Sequence, residues 1–148
     1  LIYFSPKGKP LNQDTIEKFS LTKGVSIICG HFEGIDQRII DLHDIEEISI
    51  GDYILSGGEI ATIVFLDSLV RLLPDVLGND NSKKIETFTD GLLEYPQYTK
   101  PNEFKGMKIP DILLSGNHKA IKEWQENQAL SLTKLRRPDL IDKKKDKI

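Results

Sequence analysis

Along the first half of the chain, short apolar runs alternate with stretches in which apolar residues recur at helical spacing. Leu1 to Phe4 is an unbroken run of strand type, ended by the turn cluster Ser5-Pro6-Lys7-Gly8. Leu11 to Phe19 follows with a helical pattern and Asn12 or Asp14 near its start. Val25-Ser-Ile-Ile-Cys29 reads as a buried strand stopped by Gly30, with Cys29 one of its buried residues. Asp36 to Leu42 is a short helix whose apolar side carries Ile35, Ile39 and Ile40. Glu46 to Ile50 is a third strand, and Glu59 to Leu73 a longer helix that Pro74 ends. Strand then helix, three times over, predicts an α/β fold in which helices pack on a parallel sheet.

The second half changes character. Asp75 to Asp90 is polar and without periodicity, as a linker or loop would be. Tyr95-Pro-Gln-Tyr-Thr-Lys-Pro101 is held extended by its prolines. Asn117 can cap a helix from His118 to about Thr133, with Ile121, Trp124 and Ala129/Leu130 turned inward. Pro138 opens one more short helix, and Lys143 to Lys147 reads as a frayed tail. The division expected is a sheet-bearing domain over 1–77, a linker over 78–90, and a small, mostly helical domain over 91–148.

A chain of 148 residues can bury one core plus an appendage. Its longest apolar stretch, Ile60 to Leu73, is broken by Thr62, Asp67, Ser68 and Arg71, so no membrane span is expected. One cysteine excludes an internal disulfide and points to a reducing, cytoplasmic setting. Net charge is −3, but residues 116–148 carry nine Lys/Arg against five Asp/Glu, +4, which leaves −7 for the first 115. That basic third suits either a phosphate backbone or a plain solvated helix. The chain opens on Leu1 and closes on a lysine-rich run, a pattern that fits a fragment or a truncated product.

Parallel sheets take ligands beyond the carboxyl ends of their strands. Three loops fall there: Ser5–Gly8, Gly30–Asp36 and Gly51–Glu59. Glycines at 30, 34, 51, 57 and 58 permit tight turns and close approach to a ligand. Neither the G-x-G-x-x-G nor the G-x-x-x-x-G-K-[ST] pattern is present, which disfavours dinucleotide and P-loop sites. No Cys/His spacing supports a zinc site, so no metal ligands are assigned.

Five segments in one order carry a resemblance: Gly30-His-Phe-Glu-Gly-Ile-Asp36, Ile50-Gly-Asp-Tyr-Ile-Leu-Ser-Gly-Gly-Glu59, Pro96-Gln-Tyr-Thr-Lys-Pro101, Leu114-Ser-Gly-Asn-His118 and Arg136-Arg-Pro-Asp139. Together they closely resemble the bacterial tRNA (guanine-N1)-methyltransferase family of the SPOUT class, from Ser5 to about Asp139. The resemblance implies a parallel sheet with a deep trefoil knot, then a small helical tRNA-binding domain. It implies methyl transfer from S-adenosylmethionine to N1 of the guanosine 3′ of the tRNA anticodon. It implies a homodimer with the active site at the subunit interface, and it admits a magnesium ion. The family's N-terminal strands and the end of its helical domain have no counterpart here.

Carried over by position, Pro6, Gly30, Ile50, Gly51, Asp52, Tyr53, Ile54, Leu55, Gly57 and Gly58 are expected to line the cosubstrate pocket. Glu33 is expected at the target guanine, and His118, Arg136 and Arg137 at the tRNA. Guanine N1 holds a proton at neutral pH, so the reaction needs a base, and a cation for charge developing on O6. The resemblance gives these roles to Glu86 and Arg71. On the residues alone, Arg71 reads as a snorkelling helix side chain, Glu86 as a solvated linker charge, and His118 equally as helix start or RNA contact. Several positions depart from the family. Glu86 stands for aspartate, His31-Phe32 for Arg-Tyr, Lys100 for arginine and Asp75 for glycine. They define the alternative, a catalytically impaired module that binds cosubstrate or RNA without turnover. A ribose 2′-O-methyltransferase of the same class is disfavoured, because motifs outside the knot also match.

Overall fold

A computed structural model describes residues 1–74, 76, 87–88 and 91–145. The chain forms two compact units, Leu1–Gly78 and Asn79–Ile148. The first contains β1 (Ile2–Pro10), α1 (Gln13–Ser20), β2 (Ile27–Ile28), α2 (Gln37–Leu42), β3 (Glu46–Ser49) and α3 (Glu59–Val70). Its three strands are all parallel, in the order β2-β1-β3. The crossover from β1 to β2 therefore runs to one side of β1, and that from β2 to β3 runs back past it. Crossovers of one hand that run in opposite directions put their helices on opposite faces.

The side chains obey that rule with a period of two along β1. Ile2 and Phe4 point to one face and pack with Ile16 of α1, Ile48 of β3, and Ala61 and Phe65 of α3. Tyr3 points to the other and packs with Ile40 of α2 and Ile45, supported by Ile28 and Ile35. Both faces being covered, the first residues of β1 are apolar without alternation, as a buried parallel strand must be. Phe65, fully buried, meets Phe19 edge-on at 5.3 Å and Phe4 at 5.8 Å between ring centroids.

The expected turn at Ser5–Gly8 is instead part of β1, which runs on to Pro10. It does so through a reset of register, because Ile48 of β3 is in register with both Phe4 and Lys9. The four residues between leave the ladder and lie across β3. A Cβ built on Gly8 would come within 2.5 Å of the Glu47 carbonyl carbon and 2.6 Å of that of Ile48. Beyond the crossing, the Leu11 amide donates to the Ser49 carbonyl at 2.8 Å.

Helix starts follow the capping residues: Asn12 accepts from the Thr15 amide at 3.0 Å and Asp36 from the Arg38 amide at 2.9 Å. Further expectations for this unit need correction. The second strand shrinks to Ile27–Ile28, half-buried, and Cys29 is exposed, its sulfur 3.3 Å from the Thr62 hydroxyl. Ile39 is exposed, because six residues of α2 turn only Ile40 fully inward. And α3 stops at Val70, four residues before Pro74, in a run of turns. Most of the polar stretch 75–90, Glu86 included, lies outside the described residues.

The second unit holds β4 (Glu103–Phe104), β5 (Met107–Lys108), α4 (Asp111–Leu114), α5 (His118–Arg136) and α6 (Pro138–Lys145). The short hairpin and α4 were not foreseen from the sequence pattern. Lys105 and Gly106, both at positive φ, close the hairpin as a two-residue turn of that hand requires. Asn117 caps α5 through the Ala120 amide at 3.2 Å, and the helix runs three residues past the expected Thr133. Thr133 is fully buried; its hydroxyl donates to the Ala129 carbonyl at 2.7 Å and accepts from the Leu93 amide at 2.9 Å. Leu130, expected inward, is exposed, and Trp124 is half-buried beside Tyr98. The expected frayed tail is helical through Lys145. Among the described residues no helix is long and apolar enough to cross a membrane.

Candidate functional site

The order β2-β1-β3 makes the carboxyl ends of the strands a switch point, where crossovers depart in opposite directions and leave a crevice. A cleft of about 280 Å³ opens there. Its walls come from three stretches of chain: Tyr3–Lys7, Gly30–Ile35, and Ile48–Gly58 without Asp52, with Ala61 of α3 beneath. Each wall has a local reason for its shape. Ser5 turns its hydroxyl back to the Lys7 amide at 3.2 Å. In the second wall, Phe32 and Gly34 take positive φ of 53° and 97°, and the Gly34 amide returns to the His31 carbonyl at 3.1 Å. In the third, Gly51 at φ 151° lets the chain fold over the Tyr53 ring, and the Tyr53 hydroxyl donates to the Ile50 carbonyl at 3.0 Å.

The second and third walls are pinned to each other. The Gly58 amide donates to the Gly30 carbonyl at 3.0 Å, and His31 forms an antiparallel bridge with Gly57. A Cβ on Gly58 would lie 3.1 Å from Cys29 Cα, so only glycine permits this approach without displacing backbone. His31 Nε2 also bonds the Glu59 carboxylate at the start of α3. That bond, followed by Glu59's own backbone amide, holds the Glu59 carboxyl below the usual carboxylate range. On the far side of the second wall, the Arg38 guanidinium and then its amide hold Asp36 low in the same way.

Of the ten residues expected at a cosubstrate pocket, Pro6, Gly30, Ile50, Gly51, Tyr53, Ile54, Leu55, Gly57 and Gly58 line this one cleft, as does Glu33. Asp52, which is exposed, does not. Arg71 does not line it either. It is the C-cap of α3, whose twelve residues span about 18 Å from the cleft end. Glu86 lies outside the described residues. His118 begins α5 and Arg136 ends it, about 27 Å apart along a nineteen-residue helix, so they form no common cluster. Arg137 is engaged by Asp139 through two hydrogen bonds of 2.9 and 2.8 Å, which raise its guanidinium pKa, and lies 6.0 Å from the Phe88 ring.

Sequence reasoning missed Tyr3, Ser49 and the His31–Glu59 pair. Tyr3 carried a signal: it is the one polar-tipped residue in the opening run. A Cβ on Gly30 would come 2.6 Å from its ring and one on Gly34 3.0 Å from its hydroxyl, so the two glycines make room for it. The His31–Glu59 pair joins residues 28 apart in sequence and needs the fold to be seen.

Comparison with known proteins bears on the same stretch. The tRNA (Guanine-1)-methyltransferase family, TrmD, matches residues 1–143. The tRNA (guanine-N(1)-)-methyltransferase of Pelagibacter ubique is 54% identical over 145 residues, covering 98% of this chain and 64% of that protein. The Bartonella henselae protein of that name is 55% identical over 139 residues (94% and 60%), and the Clostridioides difficile protein 50% over 147 (99% and 64%). The chain thus spans about three fifths of the length of these relatives. With a match that takes in every wall of the cleft and runs on through α5, this chain belongs to the tRNA (guanine-1)-methyltransferase family.

Proposed function

We propose that this chain is the cosubstrate-binding portion of an enzyme that moves a methyl group from S-adenosylmethionine to N1 of the guanosine 3′ of a tRNA anticodon. The observation that carries the reading is the convergence of three sequence-distant stretches on one cleft containing nine of ten expected pocket residues. The lining suits that cosubstrate: Ile50, Ile54 and Leu55 give apolar walls for a base, and glycine backbone gives amides and carbonyls without obstructing side chains. S-adenosylmethionine, when bound, supplies an electrophilic methyl on its sulfonium.

The chain's own residues do the rest. Glu33, on the cleft wall, accepts hydrogen bonds from the guanine edge. Glu86 takes the N1 proton, and Arg71 offsets the charge that develops on O6. Since Arg71 stands at the far end of α3 from the cleft, the reading needs a second copy of the chain to complete the site. Ile60, Ile63, Val64, Leu66 and Val70 of α3 are large apolar side chains left in solvent, which supports such a homodimer. The Ser5–Gly8 segment laid across β3 supports a threaded, knotted sheet. His118, Arg136 and Arg137 are assigned to tRNA backbone contact in the second unit, and the work to the cytoplasm. Among the described residues no three His, Cys, Asp or Glu side chains converge on a point, so no step is assigned to magnesium.

Calorimetric titration with S-adenosylmethionine, followed by methyl transfer to a tRNA transcript with the product base mapped, tests the reading. Micromolar binding and N1-methylguanosine are expected. Binding without transfer would favour the impaired module, a reading that Glu86 in place of aspartate supports. No binding would sink the assignment of the cleft.

A further inference from the structure

The second cleft wall is held against the third by more than backbone. Its exposed residue Phe32, 99% accessible, sits at φ 53°, a conformation that a bulky side chain adopts only when its surroundings impose it. The residue immediately before it, His31, is fixed twice: by its bridge with Gly57 and by the bond from Nε2 to Glu59. The residue immediately after it is Glu33, on the cleft wall.

An ionised carboxylate only accepts hydrogen bonds, so the proton in this contact is on His31 Nε2 whichever charge state the ring holds. The Glu59 carboxyl, kept low by that same bond, is ionised at neutral pH. Gly57 lies beneath the pair. A Cβ there would meet Glu59 Oε2, the far end of a flexible side chain, and come 3.2 Å from the imidazole, so a side chain at position 57 would crowd the contact. Three residues from two loops and a helix start thus meet at one point on the rim.

We propose that His31 is a positioning residue: its bond to Glu59 ties the Gly30–Ile35 wall to the start of α3 and so fixes where Glu33 stands over the cleft. The proposal rests on the reading of the cleft as the cosubstrate and guanine site. In this role His31, itself part of the cleft lining, and Glu59 act through the wall they hold. An arginine at position 31 could make the same bond, since its guanidinium also donates to carboxylate, whereas a phenylalanine could not.

The test uses the full chain with His31→Phe, His31→Arg and Glu59→Gln. Amide exchange at Gly58 and Gly34, whose hydrogen bonds join and shape the two walls, gives a readout that needs no ligand. An exposed ion pair of this kind is worth little, so exchange at these two amides is expected to rise only about two- to fivefold in His31→Phe and Glu59→Gln. Exchange in β1 and β3 should stay at the wild-type rate, and His31→Arg should restore the loop amides. S-adenosylmethionine titration is the second readout, with a similar fold loss of affinity and the same rescue. Unchanged loop exchange in both His31→Phe and Glu59→Gln would overturn the proposal, as would a loss that His31→Arg fails to restore. Absence of cosubstrate binding in the wild-type chain would instead overturn the function of the cleft, leaving the exchange result to decide the tether.

Discussion

Gly8→Ala is the substitution that most directly probes the crossing of β1 over β3. The new Cβ would stand 2.5 Å from the Glu47 carbonyl carbon and 2.6 Å from that of Ile48, both backbone atoms that no side-chain rotation can move aside. Restoring an ordinary 3.4 Å contact requires the two segments to part by about 1 Å. That stretches the 2.8 Å bond from the Leu11 amide to the Ser49 carbonyl beyond bonding distance. Overpacking costs about 1–3 kcal/mol, and a lost backbone bond adds about 0.5–1.5. The lower chain entropy of alanine returns about 0.4–1 kcal/mol. The net is a loss of about 0.5–4 kcal/mol with its centre at about 2, which at the centre is roughly 30-fold in the opening equilibrium of this part of the sheet. Gly24→Ala is the matched control, since nothing lies within 4 Å of its Cβ position. It should be neutral or slightly stabilising. Amide exchange at Leu11 and along β3 reads both variants, and cosubstrate titration shows whether Ser5–Lys7 still walls the cleft. If Gly8→Ala exchanges like Gly24→Ala at Leu11, the segment does not lie against β3 and the crossing is wrong.

Three further outcomes are expected. Thr133→Val keeps the volume but strips the Leu93 amide of its acceptor, so the second unit should lose about 1–3 kcal/mol, read in urea from the fluorescence of Trp124. The Asp36 carboxyl is depressed by Arg38, so its cap on α2 should be fully present above the ordinary carboxylate pKa near ~3.9 and vanish only as pH falls through the lower folded value. Carboxyl carbon shifts measured against pH should show that lowered midpoint, and Arg38→Ala should bring it back up. For Glu86, replacement by aspartate alters reach by one methylene, a change of about 1 Å that can shift turnover on the order of 100-fold with cosubstrate affinity unmoved. Methyl-transfer rates that are indifferent to Glu86→Gln would remove it from the role of base.

What could be read from sequence was what depends on neighbours along the chain. Short polar residues mark helix starts: Asn117 caps the helix expected of it, Asn12 rather than Asp14 caps α1, and Asp36, expected as the first residue of α2, is its cap. The apolar run at Leu1–Phe4 announced a strand, which the fold covers on both faces. The resemblance then named the residues of the cleft walls, and nine of ten expected pocket residues face it. What could not be read depends on pairing across distance. Ser5-Pro6-Lys7-Gly8 has turn composition, yet pairing with β3 draws both its flanks into one strand. Nor does local pattern give the partner of His31, because it is decided by how one loop lies on the start of α3.

The crossing at Gly8 also sets an order of assembly. Lys9 and Pro10 can take their places only beside Ile48 and Ser49, about forty residues further along. At synthesis rates of roughly 5–20 residues per second, β1 waits on the order of 2–8 s for the strand it must straddle. Throughout that interval Ile2, Tyr3 and Phe4 are a bare apolar run with one side of their backbone unpaired. The nascent chain therefore leaves residues of its future core uncovered, and β3 must arrive before the strap over it can close.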